Sequence, residues 1–264
     1  MTPEQHVKTL KRAILDTAFK AKEGHIASAF SVLDALYVLY NGENPVCRKG
    51  DYDSRDWVIL SKGHGCLAHY VVLADAGFFP RSLLDEFCTK DGKLGGHPFS
   101  GIVPGIEAST GSLGHGLPIA VGIAKALLIS GKPNRVFCIV GDGELNEGSN
   151  WEALMLAEKF SLTNLCIIVD NNHSGDRAIS YGQLNSNSSL ERKLTAFGCY
   201  TVMVDGHNHT ELDTAFKIRN PFQPVSVIME TVKGYGIQEM ENNPAWHHRS
   251  PTAEELARFK EELT

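Results

Sequence analysis

The sequence predicts an α/β protein with a doubly wound, mostly parallel sheet, because short apolar runs alternate with helical segments in its second half. Strands are expected at 135–140, 165–169, 200–204 and 225–229, and helices at 147–160 and 210–218. Strands separated by helices pair in parallel through right-handed crossovers. The runs VFCIV and LCIIV are apolar at every position, which is typical of a sheet covered on both faces.

The first half of the chain adds helices, one further strand and a long glycine-rich loop. Thr2 and Pro3 indicate a capped helix start, and Val7, Leu10 and Ile14 then recur at helical spacing. A strand is expected at 57–60, a loop at 92–116, and helices at 30–40, through Ala68 to Leu73, at 117–129 and after Pro251.

Composition and charge fit a globular protein and exclude several functional classes. The chain has 264 residues, 42% of them hydrophobic, which suits one large α/β domain over 1–264. The formal net charge of -6 gives no electrostatic footprint for nucleic acid. No apolar run reaches the roughly 20 residues that span a bilayer. Six scattered cysteines without a CxxC pair predict buried, reduced thiols in a cytoplasmic protein.

Two short motifs predict a ligand site at one edge of the sheet. Gly141, Asp142 and Gly143 follow one predicted strand, and Asn171 and Asn172 follow the next, with 27 residues between the motifs. One helix fits that interval, so the segment is a βαβ unit. If the strands are neighbours or near-neighbours, Asp142 and Asn172 converge at the carboxyl edge, where open α/β sheets bind ligands. Their oxygens suit Mg²⁺ or Ca²⁺ bound together with a diphosphate. The alternative is an ordinary turn and an ordinary loop.

The two motifs together resemble the thiamine diphosphate signature, and further motifs narrow the resemblance to the N-terminal half of transketolase. In chain order these motifs are GHIAS at 24–28, LSKGHG at 60–65, GGHP at 95–98, TGSLGHG at 110–116, GDGELNEG at 141–148, KGYG at 233–236, ENNP at 241–244 and WHH at 246–248. Four residues depart from the family pattern: Ile26 where proline is usual, Ser112, His115, and His248 where glycine is common. The resemblance implies a thiamine diphosphate-binding fold of the diphosphate-domain type.

The resemblance also implies roles for individual residues. Asp142, Asn172 and the main-chain carbonyl of Ser174 would hold the metal. The cofactor would be lined by His64, Gly111, Leu113 and Gly143 together with Asp142 and Asn172. His25, His97 and His247 would face the thiazolium and the sugar, whose hydroxyl groups exchange protons with imidazole near neutral pH. The remaining histidines considered, His6, His69, His207 and His209, are expected to be surface or packing residues.

Two glutamates at the start of the helix after GDG have two explanations. Acidic residues there, such as Glu147 and Glu152, complement the helix dipole. In the family, matching glutamates lie at the interface between subunits and join the carboxylate that activates the cofactor. The resemblance therefore implies a catalytic role for both.

The segment after Asn172 departs from the family. The usual pattern continues to an Asp-Gly pair, whereas this chain reads HSGDRAIS at 173–180. Two roles are open for these residues: a surface ion pair between Asp176 and Arg177 is expected, or else a contact of Arg177 with the partner chain or with an anionic group of the substrate. The departure leaves open whether the sugar is a 5-phosphate, a branched sugar phosphate or a sulfonated sugar.

A partner chain is a further implication of the resemblance. In the family, a glutamate of a second, pyrimidine-binding domain grips the cofactor, and this chain stops about where that domain would begin. We therefore expect one subunit of a split transketolase, a transferase that moves a two-carbon ketol unit. It would be active only with a C-terminal subunit, in an α2β2 heterotetramer.

Two other functions remain open from the sequence. The α subunit of a 2-oxoacid dehydrogenase also carries GDG and NN, although a 2-oxoacid needs no set of sugar-handling imidazoles. A non-catalytic regulatory subunit would keep the fold, although the intact Asp142, Asn172 and histidine set argues against it.

Overall fold

Parallel strands form the centre of the structure, a computed structural model that describes residues 1–42, 45–50, 55–173 and 187–264. The strands in these residues are β1 (Trp57–Leu60), β2 (Val136–Gly141), β3 (Leu165–Asn171), β4 (Tyr200–Asp205) and β5 (Val225–Glu230). They form one five-stranded sheet in the order β1-β2-β3-β5-β4. Every pairing is parallel. Each predicted strand is confirmed to within two residues, and the parallel α/β architecture is confirmed as well.

Helices cover both faces of this sheet. In chain order the helices are α1 (Pro3–Ala21), α2 (Ile26–Tyr40), α3 (Cys66–Asp75), α4 (Gly116–Ile129), α5 (Gly148–Lys159), α6 (Asn187–Ala196), α7 (His209–Lys217) and α8 (Ala253–Glu262). One face of the sheet carries α1, α2, α3, α7 and α8, and the other carries α4, α5 and α6. Side chains of β2 alternate between the two cores: Phe137 and Ile139 enter the first, and Val136, Cys138 and Val140 enter the second. Burial on both sides explains why this strand is apolar at every position.

Helix ends largely follow the sequence signals. Thr2 caps α1 in a capping box, with Pro3 at the first helical position, and Thr252 caps α8 in the same way. The exception is α2, predicted at 30–40, which begins four residues earlier, at Ile26, because its first turn is also buried in the core. In the described part of the chain, no helix is both long and apolar enough to cross a bilayer.

Histidines that the sequence assigned to packing make polar contacts between helices. Buried Asp34 accepts hydrogen bonds from His207 Nδ1 at 2.8 Å and from His209 Nε2 at 2.7 Å. Although burial alone would raise the pKa of Asp34, the two imidazoles lower it to about 2. His69 contacts the Tyr40 hydroxyl at 3.0 Å inside the core. These contacts join α2 to α3 and α7.

The cysteines are buried thiols, as the sequence predicted. All six are free; five are buried and Cys88 is half-buried. Burial raises the pKa of Cys166 to about 11 and that of Cys199 to about 12, so both thiols stay protonated near neutral pH.

Candidate active site

The ends of β2 and β3 bring the two predicted motifs together. The strands are parallel neighbours, with Gly141 paired to Asp170. The Asp142 N–H donates to the carbonyl oxygen of Asp170 at 3.1 Å. Asp142 and Asn172 are only 5% and 4% exposed. The adjacency of the two strand ends, on which the predicted ligand site depended, is therefore a feature of the structure.

A buried carboxylate that the sequence patterns did not single out, Asp170, organises this edge. It is fully buried and pairs with Lys62 Nζ, which enters from the loop after β1. Ser31 Oγ of α2 donates to it at 2.7 Å, and Thr231 Oγ1 donates to it from just after β5. Although burial alone would raise the pKa of Asp170, the Lys62 ammonium and these hydroxyls hold it below its usual range. An ionised Asp170 thus ties the ends of three strands to α2.

The same carboxylate orients the side chain of Asn172. Asn172 Nδ2 donates to Asp170 Oδ2 and to Ser31 Oγ, both at 3.2 Å, which turns its Oδ1 away from Asp170. That oxygen and the Asp142 carboxylate are hard donors, and they fit Mg²⁺ or Ca²⁺ bound together with diphosphate oxygens. Three residues of the prediction lie outside the described residues: the expected ligand Ser174, and Asp176 and Arg177.

A second buried carboxylate, Glu144, connects three loops around this edge. It is 2% exposed. It accepts hydrogen bonds from Ser61 Oγ, from the Gly114 N–H at 3.0 Å and from the Gly141 N–H at 3.2 Å. Burial raises the pKa of Glu144, whereas these hydrogen bonds stabilise its ionised form. One side chain therefore fixes the LSKGHG, TGSLGHG and GDG motifs to one another.

The TGSLGHG loop approaches a histidine so closely that it requires glycine. Gly111 has a φ of +131°, and a Cβ there would lie 2.5 Å from His97 Cδ2. Leu113 and Gly143, the other predicted cofactor contacts, are half-buried on two of the loops that Glu144 joins. The predicted cofactor-lining residues therefore belong to one connected set of loops.

Histidines from four separate motifs form a cluster, here called the histidine mouth: His25, His64, His97, His247 and His248. The His25 ring centroid lies 4.8 Å from that of His64, 5.4 Å from that of His247 and 4.4 Å from that of His248. The His64 and His97 rings are 5.2 Å apart. The structure thus brings together all four histidines predicted to face cofactor and sugar. It adds His248, which stood out in the sequence only as a departure from the family pattern.

Hydrogen bonds set the protonation of two rings in the mouth. His25 Nδ1–H donates to the carbonyl oxygen of His247 at 2.9 Å, which leaves the lone pair on its Nε2. Lys233 Nζ donates to His247 Nδ1 at 2.9 Å, which leaves the proton on Nε2 of that ring. Burial, assisted by the neighbouring imidazoles, lowers the pKa of His25 and of His64 to about 4. The mouth therefore offers an acceptor at His25 and a donor at His247 near neutral pH.

Lys233 links the histidine mouth to the strand edge. It is 8% exposed. Burial and the nearby Lys62 ammonium lower its pKa to about 8, against the effect of the Asp170 and Asp142 carboxylates. KGYG was visible in the sequence, but the role of its lysine was not. The sequence feature that could have indicated this role is the position of the lysine, three residues after a buried strand that ends at the ligand edge.

Glu147 and Glu152 lie at the start of α5, and both are exposed. Glu147 is the N-cap residue of this helix. It packs against the TGSLGHG loop, since a Cβ on Gly114 would lie 2.7 Å from Glu147 Cβ. Glu147 therefore adjoins the loop of predicted cofactor contacts, whereas Glu152 lies farther along the surface. Their catalytic role stays a prediction.

Comparison with known proteins decides the family. Over residues 2–264 the chain matches the profile of the family described as "Transketolase, thiamine diphosphate binding domain". The chain belongs to this family. It is 38% identical over 267 residues to an apulose-4-phosphate transketolase subunit from Actinobacillus succinogenes, a match that covers 98% of this chain and 95% of the relative. It is 34% identical over 260 residues to the 6-deoxy-6-sulfo-D-fructose transketolase subunit SqwG of a Clostridium species, which covers 95% and 92% respectively.

Solved structures of this family share the fold. The transketolase from Leishmania mexicana has a TM-score of 0.88 at 26% identity, and that from Campylobacter jejuni has 0.87 at 26%. Both cover 100% of this chain, but the chain spans only 41% and 43% of their lengths. The predicted resemblance to transketolase and the predicted thiamine diphosphate-binding fold are confirmed.

Proposed function

We propose that this chain is the thiamine diphosphate-binding subunit of a two-chain transketolase, which transfers a two-carbon ketol unit from a ketose to an aldose. The observation that carries the proposal is the histidine mouth beside the buried edge of Asp142 and Asn172, with Lys233 between them. A diphosphate site alone would equally suit a 2-oxoacid dehydrogenase. A set of imidazoles suits a substrate with several hydroxyl groups.

The strand edge would hold the cofactor by its diphosphate. Asp142 and Asn172, with the main chain of Ser174, would bind Mg²⁺ or Ca²⁺, and the ion would bind diphosphate oxygens. The cofactor would be lined by His64, Gly111, Leu113 and Gly143. When bound, thiamine diphosphate supplies the nucleophilic carbon and the electron sink that allow a carbon–carbon bond to break.

The histidine mouth would manage the protons of the sugar. His25, with its lone pair on Nε2, would accept the proton of the donor hydroxyl that becomes a carbonyl when the carbon–carbon bond breaks, and would give that proton to the carbonyl oxygen of the acceptor aldose when the new bond forms. His247, with its proton on Nε2, would donate a hydrogen bond to a sugar oxygen. His97 is exposed beside them and would contact the same substrate. Because burial keeps the pKa of His25 near 4, this base is neutral throughout the physiological range.

A second polypeptide would complete the site. The proposed division places one diphosphate-binding domain in residues 1–264 and the pyrimidine-binding domain, with its activating glutamate, on a C-terminal subunit. Two relatives of similar length are named as subunits, which supports this division. Glu147 and Glu152 are exposed at the start of α5, as an interface role requires. An α2β2 heterotetramer is the assembly that we propose.

The donor would be an anionic ketose. The names of two relatives refer to apulose 4-phosphate and to 6-deoxy-6-sulfofructose, a branched sugar phosphate and a sulfonated sugar. Both names denote a sugar that carries an anionic group. This chain is similar to both relatives over more than nine tenths of its length. A phosphorylated or sulfonated ketose is therefore the substrate class to test first.

Reconstitution tests this function. The chain alone, with thiamine diphosphate and Mg²⁺, is expected to be inactive, and addition of the C-terminal subunit is expected to produce ketol transfer. Mass spectrometry of the aldose products, with a panel of phosphorylated, branched and sulfonated ketoses, identifies the donor. Ketol transfer by the chain alone would contradict the two-chain proposal. Decarboxylation of 2-oxoacids by the complex, without ketol transfer, would contradict the proposed reaction.

A further inference from the structure

We propose that His25, His64 and His97 form a second metal site, which takes a first-row transition ion of the Zn²⁺ class rather than Mg²⁺ or Ca²⁺. Each residue offers one imidazole nitrogen, and the three nitrogens lie within 4.8 Å of one another. They come from three segments that are distant in sequence: the start of α2, the short 3-10 helix Gly63–Gly65 and the loop that contains GGHP. In the described residues, this group is the one whose histidine, cysteine or carboxylate side chains converge in this way.

Two of the three ring separations match those expected around a tetrahedral ion, and the third is longer. With a Zn–N distance of about 2.0–2.1 Å and a tetrahedral angle, two ligating imidazoles have ring centroids about 5 Å apart. The observed separations are 4.8 Å for His25 and His64, 5.2 Å for His64 and His97, and 6.4 Å for His25 and His97. Rotation of the rings, with a small shift of exposed His97, would bring the nitrogens to ligating distance.

His25 has the outer contact that metal-bound histidines usually have. Its Nδ1–H donates to the carbonyl oxygen of His247 at 2.9 Å, so its Nε2 lone pair is available. Histidine ligands of metals generally donate their second ring nitrogen to a carbonyl or carboxylate, which fixes the tautomer and the ring orientation.

Ligand chemistry separates this site from the one at the strand edge. Three imidazole nitrogens suit Zn²⁺, Co²⁺, Ni²⁺ or Cu²⁺, and they suit Mg²⁺ and Ca²⁺ poorly. Asp142 and Asn172 offer only oxygen, so they have the opposite preference. A fourth ligand position would remain open to water, as in zinc sites with three protein ligands.

The site has a consequence for activity, and this part rests on the proposed function. The three rings are among those proposed to line the cofactor and face the sugar, and two of them, His25 and His97, would contact the sugar, so a bound transition ion and a ketose donor exclude each other. Zn²⁺ would therefore inhibit ketol transfer competitively with the donor sugar, whereas Mg²⁺ would support the same reaction from the strand edge. Zinc sensitivity would then be a property of the active site itself.

Co²⁺ titration of the untagged, full-length chain tests the site without any activity assay. Tetrahedral Co²⁺ has strong visible absorption bands, so it reports both binding and geometry. We expect one Co²⁺ per chain with these bands, displacement by Zn²⁺, and no displacement by a large excess of Mg²⁺. Loss of a residue that only hydrogen-bonds to a metal ligand costs about 10–100-fold in metal affinity. His97→Gln removes a ligand itself, so it should weaken Co²⁺ binding at least about tenfold.

Matched variants locate the ion. His6→Gln removes a histidine of α1 that pairs with Asp75, and it should leave Co²⁺ binding unchanged. Asp142→Asn should also leave it unchanged, because the strand edge is not the Co²⁺ site. Bands that appear in His97→Gln with unchanged Co²⁺ affinity, or that disappear with Asp142→Asn, would overturn the proposal, as would the absence of a saturable tetrahedral spectrum.

A wild-type measurement guards against a variant that does not fold. Zn²⁺ should shift the ring ¹⁵N signals of His25, His64 and His97 and leave that of His6 in place; shifts confined to other histidines would refute the site. Co²⁺ binding at the mouth in a complex without ketol transfer would refute the function alone. Ketol transfer in a complex whose chain gives no tetrahedral Co²⁺ spectrum would refute the metal site alone.

Discussion

The two halves of the candidate active site are built differently. At the strand edge, Lys62, Asp142, Glu144, Asp170 and Asn172 are each less than a tenth exposed and are held by the ends of the sheet. In the histidine mouth, His97, His247 and His248 are exposed and His25 and His64 are half-buried, and none of the five lies in an α-helix or in a strand of the sheet. The edge is thus part of the core, whereas the mouth depends on loop positions. Substitutions at the edge should affect the stability of the chain, and substitutions in the mouth should mainly affect ligands and catalysis.

Lys62→Met should have the largest effect on stability. It leaves the fully buried Asp170 carboxylate without its cation, and breaking one partner out of a buried pair costs about 3–5 kcal/mol. Urea unfolding of the single chain measures the loss. Lys20→Met is the matched control, because Lys20 pairs with Asp85 on an exposed surface and should change stability little. Equal effects of the two substitutions would mean that the edge is not a buried ionic network.

Glu144→Ala should have an effect of comparable size. It leaves the Gly114 and Gly141 N–H groups and the Ser61 hydroxyl without an acceptor, and each unsatisfied buried group costs about 1–3 kcal/mol. Glu152→Ala, on the exposed surface of α5, should stay within about 0.5 kcal/mol of wild type in the same urea experiment. If Glu144→Ala unfolds at the wild-type urea concentration, the three loops are held by other contacts.

Gly111→Ala should affect both stability and the position of His97 in the histidine mouth. The new Cβ would collide with His97 at a φ of +131°, where a side chain costs about 1–3 kcal/mol in any case. Gly77→Ala is the control, because its φ is +77° but no atom lies within 4 Å of the added Cβ. Both variants should lose stability, but only Gly111→Ala should raise the KM for the donor sugar in the reconstituted complex. An unchanged KM would contradict the proposed contact between His97 and the sugar.

The histidine mouth should affect stability less than the substitutions above, through the pH dependence of the free energy of unfolding. The pKa of His25 and of His64 is about 4 in the folded chain, below the 6.5 of a free imidazole. Between these values the unfolded chain binds more protons, so the free energy of unfolding rises as pH increases from about 4 to about 6.5. A His25→Gln, His64→Gln double variant should lose part of that slope in urea unfolding at stepped pH. Identical slopes would contradict the burial of these rings.

The sequence predicted the elements that depend on local pattern and missed those that depend on distant partners. The apolar runs located β2 and β3, and the topology of a βαβ unit then placed Asp142 beside Asn172. Asp170 and Glu144 were not identified, because their partners come from other loops and from α2, whose approach no local pattern encodes.

Loop positions explain the remaining differences. The histidines were identified from motifs, but their ring contacts, the added position of His248 and the role of Lys233 required coordinates. The start of α2 was placed too late, because burial of the whole helix removes the polar face that marks a helix in sequence.

Binding of thiamine diphosphate to the reconstituted complex tests the central claim most directly. Isothermal titration with and without Mg²⁺ compares wild type with Asp142→Asn, a variant of the same size. We expect saturable binding that requires Mg²⁺ and that weakens at least about 100-fold in the variant, because a metal ligand is lost. Binding of equal affinity without Mg²⁺, or binding unaffected by Asp142→Asn, would contradict the assignment of this strand edge as the site of the metal and the diphosphate.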